Sequence, residues 1–262
     1  MLEEQLGFAL FDRRGRRVVL NAAGAALLSA VEPALAQIDE GVRAAALAAS
    51  GTEQSLRLTA LPSFAQHWLL PRMARWREQH PGMVIDLHTS LQVIDLPREG
   101  FHAALRQGKG PWPGLAGTCL IDSPLIVVAS PAVARRLVGG DPAALMREPL
   151  LGNAQRWNRW FALAGQRGRV KPVAVFNDMG MQLQAAEQGL GVALGRQLLA
   201  ADALREGRLV QLSPIVLADP DQGADAFWLL HPPELQDWPP LVALRDWLLQ
   251  ELQSSATQLV ST

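Results

Sequence analysis

The chain of 262 residues holds one cysteine, which excludes a disulfide framework and any cysteine-based zinc cluster. It lacks a dominant charge of either sign. Lys and Arg number 24 against 25 acidic residues, a net of −1, so the surface offers nucleic acid no general attraction. Any such binding must come from a local basic patch. Long apolar runs are missing too; the nearly apolar stretch 124–134 falls short of a membrane span. The opening MLEEQLGFALFDRR mixes acids and bases without an apolar core, which is unlike a signal peptide. A soluble, cytoplasmic protein without membrane contact is the expectation. Enzyme signatures are absent: there is no His-Glu-x-x-His, no Gly-x-Ser-x-Gly, no Walker loop and no dinucleotide-binding glycine fingerprint. His67, His80, His88, His102 and His231 show no metal-ligand spacing and read as structural or surface groups. No metal, cofactor or catalytic residue is expected. Cys119 has no basic neighbour in sequence and reads as a buried, inert thiol.

What is present describes a folded chain. Hydrophobic residues are 49%, charged residues 19%, and mean hydropathy is +0.08. The length suits one large or two small domains. Residues 1–21 are short and locally basic, 22–50 are alanine-rich, and 51–55 form a polar linker. Residues 253–262 read as a frayed tail.

The alanine-rich segment predicts a long helix. Leu28, Val31, Leu35, Ile38, Val42, Ala45 and Ala49 are spaced alternately by three and four, an a/d seam over three heptads. Such a seam needs a partner, either a second copy of the chain or its own body. Pro33 falls inside the helix, where it removes a backbone hydrogen bond and favours a kink. Before this helix, residues 11–20 carry a net charge of +3 from Arg13, Arg14, Arg16 and Arg17 against Asp12. Gly15 sits centrally, as a tight turn requires. A two-stranded wing of this kind can grip phosphates; a solvated basic loop is the alternative.

The rest reads as α/β. Strands are predicted at 56–60, 84–89, 103–106, 125–130, 173–176, 192–194 and 227–231, and helices at 62–80, 182–188, 196–206 and 239–252. The run 125–128 is apolar throughout, as in a parallel strand buried on both faces. Alternation of strands and helices implies parallel sheets with ligands at the strands' carboxyl ends. Gly189 to Gly195 is glycine-rich but leaves a helix and enters a strand, the reverse of a phosphate loop. Strand 227–231 and the last helix can rejoin the first sheet, giving two lobes and a cleft.

Several blocks carry a family likeness. They are Leu2-Glu3-Glu4-Gln5-Leu6-Gly7, then Leu10-Phe11, Arg13, Arg16-Arg17, Leu20-Asn21 and Gly24. Further along come 105–115 with its Gly-Lys-Gly-Pro-Trp-Pro-Gly, 183–195, and Phe227-Trp228-Leu229-Leu230-His231-Pro232-Pro233. Together, over nearly the full chain and in order, they resemble the LysR-type transcriptional regulators. The subgroup is that of the glycine-cleavage and β-lactamase-induction activators. The resemblance implies a winged helix-turn-helix, a linker helix, and a two-lobed effector domain like a periplasmic binding protein. It also implies promoter DNA, a small-molecule effector and a homodimer or homotetramer as partners. On it, residues 1–21 are the wing end of the DNA-binding domain, 22–50 the dimerisation helix through Leu28, Val31, Leu35, Ile38 and Val42, and 55–252 the effector domain. Lobe I is then 55–123 plus 224–252, and lobe II 124–223. The scaffold helix, the turn and most of the recognition helix should lie upstream of Met1. Because base readout comes from that helix, this chain is expected to bind DNA weakly and without sequence preference. A stand-alone solute-binding module is the competing function. The family often has an aspartate opening the strand at 103–106, where His102 stands here.

The effector cleft is placed by geometry at the strand ends: Ser63 and Phe64, Ser90 and Leu91, Arg106 and Gly108, Ser130, and Asn177, Asp178 and Met179. Ser63 begins a helix and suits an anionic group. Arg106 can pair with a carboxylate. Phe64, Leu91 and Met179 supply apolar walls. The plainer readings are a helix cap for Ser63 and an exposed loop arginine for Arg106.

Overall fold

A computed structural model describes residues 2–14, 17–49, 54–137, 141–218 and 226–260. Side chains are described within these ranges except at 13–14, 17, 33, 36–37, 39–40, 43–49, 54 and 256–260. The chain opens on α1 (Leu2–Leu6) and an antiparallel hairpin of β1 (Phe11–Arg14) and β2 (Arg17–Leu20), with Phe11 opposite Leu20 and Arg14 opposite Arg17. The Glu3 carboxylate accepts from the Leu10 and Phe11 amides and so ties α1 to the hairpin. Asn21 joins hairpin to helix. Its side-chain amide donates to Ala9 O at 2.9 Å, and its Oδ1 accepts from Gly24 N at 2.8 Å, capping α2 (Ala22–Ala49). Only glycine fits at 24, since a Cβ there would lie 2.1 Å from the Leu10 carbonyl oxygen. Helix α2 runs unbroken through Pro33. Its seam residues Leu28, Val31, Leu35, Ile38 and Val42 are exposed, Val42 by 65%. They do not fold onto the body.

Two sheets follow. The first, in lobe I, holds β3 (Gln54–Ala60), β4 (Met83–Thr89), β5 (Ala103–Gln107), β6 (Ala116–Asp122) and β11 (Ala226–His231), in the order β4-β3-β5-β11-β6. The second, in lobe II, holds β7 (Leu125–Ala129), β8 (Leu150–Leu151), β9 (Val192–Arg196) and β10 (Val210–Gln211), in the order β10-β7-β9-β8. Both sheets are mixed, which corrects the expectation of parallel ones. Strands β3, β4 and β5 are parallel, but β11 runs against β5 and β6, and β7 runs against β9. The reason lies in the crossings. A strand leaving a lobe and a strand returning to it run in opposite senses. Strand β7 is fully buried, as its apolar run required, yet pairs antiparallel.

Three further expectations change. Residues 173–176 are extended but make one isolated bridge, Leu151 to Ala174, with Val173 and Val175 exposed. Strand β6 escaped notice because Gly117, Thr118 and Cys119 are small or polar, as an edge strand tolerates. Cys119 is therefore exposed rather than buried. Its thiol is still held above the ordinary range, by partial burial and then by the Asp122 charge. Finally, 253–260 is no tail: α10 (Pro239–Val260) continues through it, and Ser255 is buried.

The helix predicted at 62–80 is present in pieces: α3 (Pro62–Phe64), a π-helical turn (Ala65–Leu69), a 3-10 turn (Leu70–Arg72) and α4 (Met73–Gln79). Pro71 has no amide hydrogen to donate, and the widened turn before it absorbs the missing bond. Lobe II adds α5 (Pro131–Ala134), α6 (Pro142–Leu145), α7 (Ala154–Leu163), α8 (Met179–Glu187) and α9 (Gln197–Arg205). Gly189, at φ +79°, ends the α8 turn. One apolar cluster joins the lobes: Leu58, Phe64, Trp68 and Trp247 share it with Leu183 and Leu199. A second, around Trp157, Trp160 and Phe161, fills the outer half of lobe II.

Candidate functional site

Because β3, β4 and β5 are parallel, their carboxyl ends meet. Leu61 N donates to Leu105 O at 3.2 Å and Ser90 N to Ala60 O at 3.0 Å, which sets the three loops side by side. Ser63, Ser90 and Arg106 thereby come together on lobe I. Ser63 is not the helix cap. That position belongs to Leu61, without a side-chain bond, and Pro62 takes the first helical position. Ser63 is buried, and its hydroxyl makes no hydrogen bond among the described residues. Ser90 Oγ accepts from Gln92 N at 3.0 Å, and Leu91 stays 46% exposed beside it.

Arg106 is buried in β5, not exposed on a loop. Its Nη2 donates to Thr59 Oγ1 at 3.0 Å and to Gln92 O at 3.3 Å, and its Nη1 to Leu105 O at 3.3 Å. All three acceptors are neutral. No carboxylate pairs with it among the described residues. Burial alone pulls its pKa below the ordinary arginine value. A buried guanidinium held only by neutral oxygens is a standing demand for an anion.

In lobe II, α8 lies beside α3. Asp178 caps α8, Oδ1 accepting from Gly180 N at 2.8 Å and Met181 N at 3.1 Å, while Oδ2 is buried with no hydrogen-bond partner among the described residues. Asn177 is exposed, and Met179 packs partly buried against both apolar clusters. From lobe I, the His67 ring rests on this helical turn. A Cβ on Gly180 would sit 2.8 Å from His67 Nε2, so glycine is what lets the ring approach. Burial lowers the His67 pKa below 6.5, with the Glu187 and Asp178 charges pulling less strongly upward.

Two predicted cleft residues fall elsewhere. Phe64 is wholly buried, its ring 5.1 Å from Trp68 and 4.9 Å from Phe227, so it belongs to the core and not to a wall. Ser130 stands at the far end of β7. Because β7 opposes β9, its carboxyl end points away from lobe I, and Ser130 Oγ lies by Gly189, beyond the other end of α8 from Asp178. Gly108 is packed under the Trp112 ring, and its carbonyl accepts from Trp228 Nε1 at 2.8 Å. In the wing, Gly15 and Arg16 and the side chains of Arg13, Arg14 and Arg17 lie outside the described residues. His102, just before β5, bonds the strands: its Nδ1 accepts from Arg57 N at 2.9 Å and its ring lies against Trp238.

Sequence reasoning missed the contacts that join the lobes. At the crossing from β6 to β7, buried Arg196 donates to Ser123 O, and Ser123 Oγ accepts from Leu198 N at 3.0 Å. Away from the strand ends, Arg72 of lobe I grips Asp202 of α9 through two bonds of 3.0 and 3.3 Å. Arg205 adds a third at 2.8 Å. Burial pushes the Asp202 carboxyl up, but Arg72 and Arg205 together outweigh it and hold it below 3.8. Ser255 Oγ meets Arg72 Nη2 and Trp68 Nε1, each at 3.4 Å. Two cavities flank this bridge, one of about 360 Å³ and one of about 240 Å³. Neither is lined by a predicted cleft residue. Among the described residues, no three His, Cys, Asp or Glu side chains group to hold a metal ion, and no helix is long and apolar enough to cross a membrane.

The LysR substrate binding domain matches residues 49–253. The HTH-type transcriptional activator AmpR of Citrobacter koseri is 31% identical over 252 residues, 95% of this chain and 85% of that protein. The glycine cleavage system transcriptional activator of Escherichia coli (strain K12) is 31% identical over 256 residues, 95% of this chain and 81% of that one. Among solved structures, the effector domain of AmpR from Pseudomonas aeruginosa superposes with a TM-score of 0.66 at 30% identity, covering 78% of this chain and 98% of the domain. CrgA of Neisseria meningitidis shares the fold over 96% of this chain and 86% of its own, with a TM-score of 0.64 at 24% identity. The two-lobed effector fold, the helix and hairpin before it, and these likenesses agree: the chain belongs to the LysR-type transcriptional regulators.

Proposed function

We propose that this regulator senses a small anionic effector at the carboxyl ends of β3, β4 and β5. Ser63, Ser90 and Arg106 would receive the anionic group, Leu91 and Gly108 would border it, and Asn177, Asp178 and Met179 of lobe II would close over the effector's far side, where the unpartnered Asp178 Oδ2 calls for a donor group. The carrying observation is Arg106, buried with neutral acceptors and no carboxylate among the described residues. The unbonded Ser63 hydroxyl supports the same reading. An effector that prefers one arrangement of the lobes tenfold needs only about 1.4 kcal/mol of differential contact to shift the population. The lobe angle then reaches DNA through paired α2 helices, joined along Leu28, Val31, Leu35, Ile38 and Val42 to a second copy of the chain in a dimer or tetramer. The β1–β2 hairpin supplies arginines for the phosphate backbone of promoter DNA, which carries no base specificity by itself. The setting is the cytoplasm.

A panel of small carboxylates and phosphates, read by melting temperature and calorimetry, tests the site. At least one anion should stabilise the protein, and Arg106→Ala and Ser63→Ala should each weaken it about tenfold or more. Unchanged affinity in both variants refutes the assignment. For the wing, retention on duplex DNA should fall steeply with salt regardless of sequence.

A further inference from the structure

The larger cavity is unused by the effector reading and shares no residue with it. Its floor is apolar, built from Ala201 and Leu204 of α9 with Leu209 and Val210 entering β10. Arg72 and Ser255 bring lobe I to its wall, so both lobes contribute. At about 360 Å³ it falls within the range of small-molecule sites. The smaller, polar cavity adjoins it across the Arg72–Asp202 bridge, sharing Arg72, Asp202, Arg205 and Ser255.

The charges decide what fits. Asp202 consumes Arg72 through a two-bonded grip, and Glu251 consumes Arg75 at 2.8 Å in the adjoining chamber. Arg205 shares Asp202 with Arg72 and has its other carboxylate, Glu206, only at 4.0 Å. Its side chain is 57% exposed at the mouth. The chamber lining itself therefore holds two cations, Arg72 and Arg205, to one carboxylate, Asp202, while Glu206 and Glu187 outside it share Arg208. A neutral hydrocarbon would leave Arg205 unused. A dianion would exceed the single charge available.

We propose that this cavity is a second ligand site, for a small amphipathic monocarboxylate. The apolar body lies on α9 and the entry to β10, and the carboxylate meets Arg205 at the mouth. Because its walls come from both lobes, an occupant fixes their relative angle. By linkage it changes effector affinity by the same factor as the effector changes its own.

Calorimetry on the full chain with hexanoate, and with hexanamide as its neutral isostere, tests this. Hexanoate should bind with a Kd of about 1 mM or tighter, and hexanamide about fivefold more weakly. Added salt should weaken hexanoate and leave hexanamide unchanged. Arg205→Gln, a change at an exposed side chain, should reduce hexanoate to the affinity of the amide. Ala201→Phe should fill the chamber and weaken both about tenfold or more. Arg106→Ala should leave hexanoate binding unchanged, which separates this site from the effector cleft. Equal affinity for the two probes, an Arg205→Gln protein that binds as the wild type does, or loss of hexanoate in Arg106→Ala overturns the proposal. No uptake at any protein concentration, as when a second copy covers the mouth, overturns it as well.

Discussion

Helices α2 and α10 are the longest in the molecule, at 28 and 22 residues, and both carry apolar side chains at helical spacing. In α10, Leu241, Leu244, Trp247, Leu248 and Leu252 are buried in the body. In α2 the seam from Leu28 to Val42 is exposed. The difference lies in the stripe. That of α10 is wide and includes a large ring, which packs edge-on to Trp68 and Trp76. That of α2 is one residue wide, spaced 3.5 on average and made of modest side chains, a shape suited to another helix rather than to a sheet and its loops. Stripe width thus separates a helix that completes its own body from one that reaches beyond it.

The largest effect that sharpens this contrast is expected at Trp247. Trp247→Ala should cost about 4 kcal/mol in urea unfolding of the body, whereas Leu35→Asp should leave that transition within about 0.5 kcal/mol. Leu35→Asp should instead abolish self-association in sedimentation. Equal destabilisation by the two would erase the distinction. Asp202→Asn comes next, at about 3 kcal/mol, because it leaves the Arg72 cation buried without its partner. Hydrogen exchange should then rise in the last turns of α10 and stay unchanged in α2. The same carboxylate has a pH signature. Its folded pKa is depressed, so its contribution is present above 3.8 and is lost as pH falls through the folded value. In Asp202→Asn that acid limb should flatten.

Gly24→Ala, a smaller change, should melt the junction of hairpin and α2 by about 1–3 kcal/mol and leave the body's transition alone. The smallest effect is at His67. Its folded pKa lies below 6.5, so the unfolded chain protonates first as the solution is acidified. The body should lose stability as pH falls from 6.5, and His67→Gln should lose less. A wild-type melting temperature that is flat across that window would show the ring to be solvated.

Local chemistry made part of this legible. Strands β3, β4, β5 and β11 stood out because apolar and β-branched residues are bounded by turn formers, and Ser63, Ser90 and Arg106 followed from the ends of parallel strands. Ser130 was misplaced because strand direction is settled by pairing, which no single segment encodes. Val173 and Val175 alternate as a strand does, yet among the described residues their segment makes one isolated bridge, through Ala174. Strand β6 hid behind Gly117 and Cys119. Arg72 and Asp202 are 130 residues apart, and neither neighbourhood marks the other as its counter-ion.

Ser255 gives the end of α10 an unexpected weight. Its single hydroxyl touches the indole of Trp68 and the guanidinium of Arg72, the residue that clasps lobe II. A gene product cut short after Leu252 would lose that brace on Arg72 while keeping the Arg72–Asp202 grip itself.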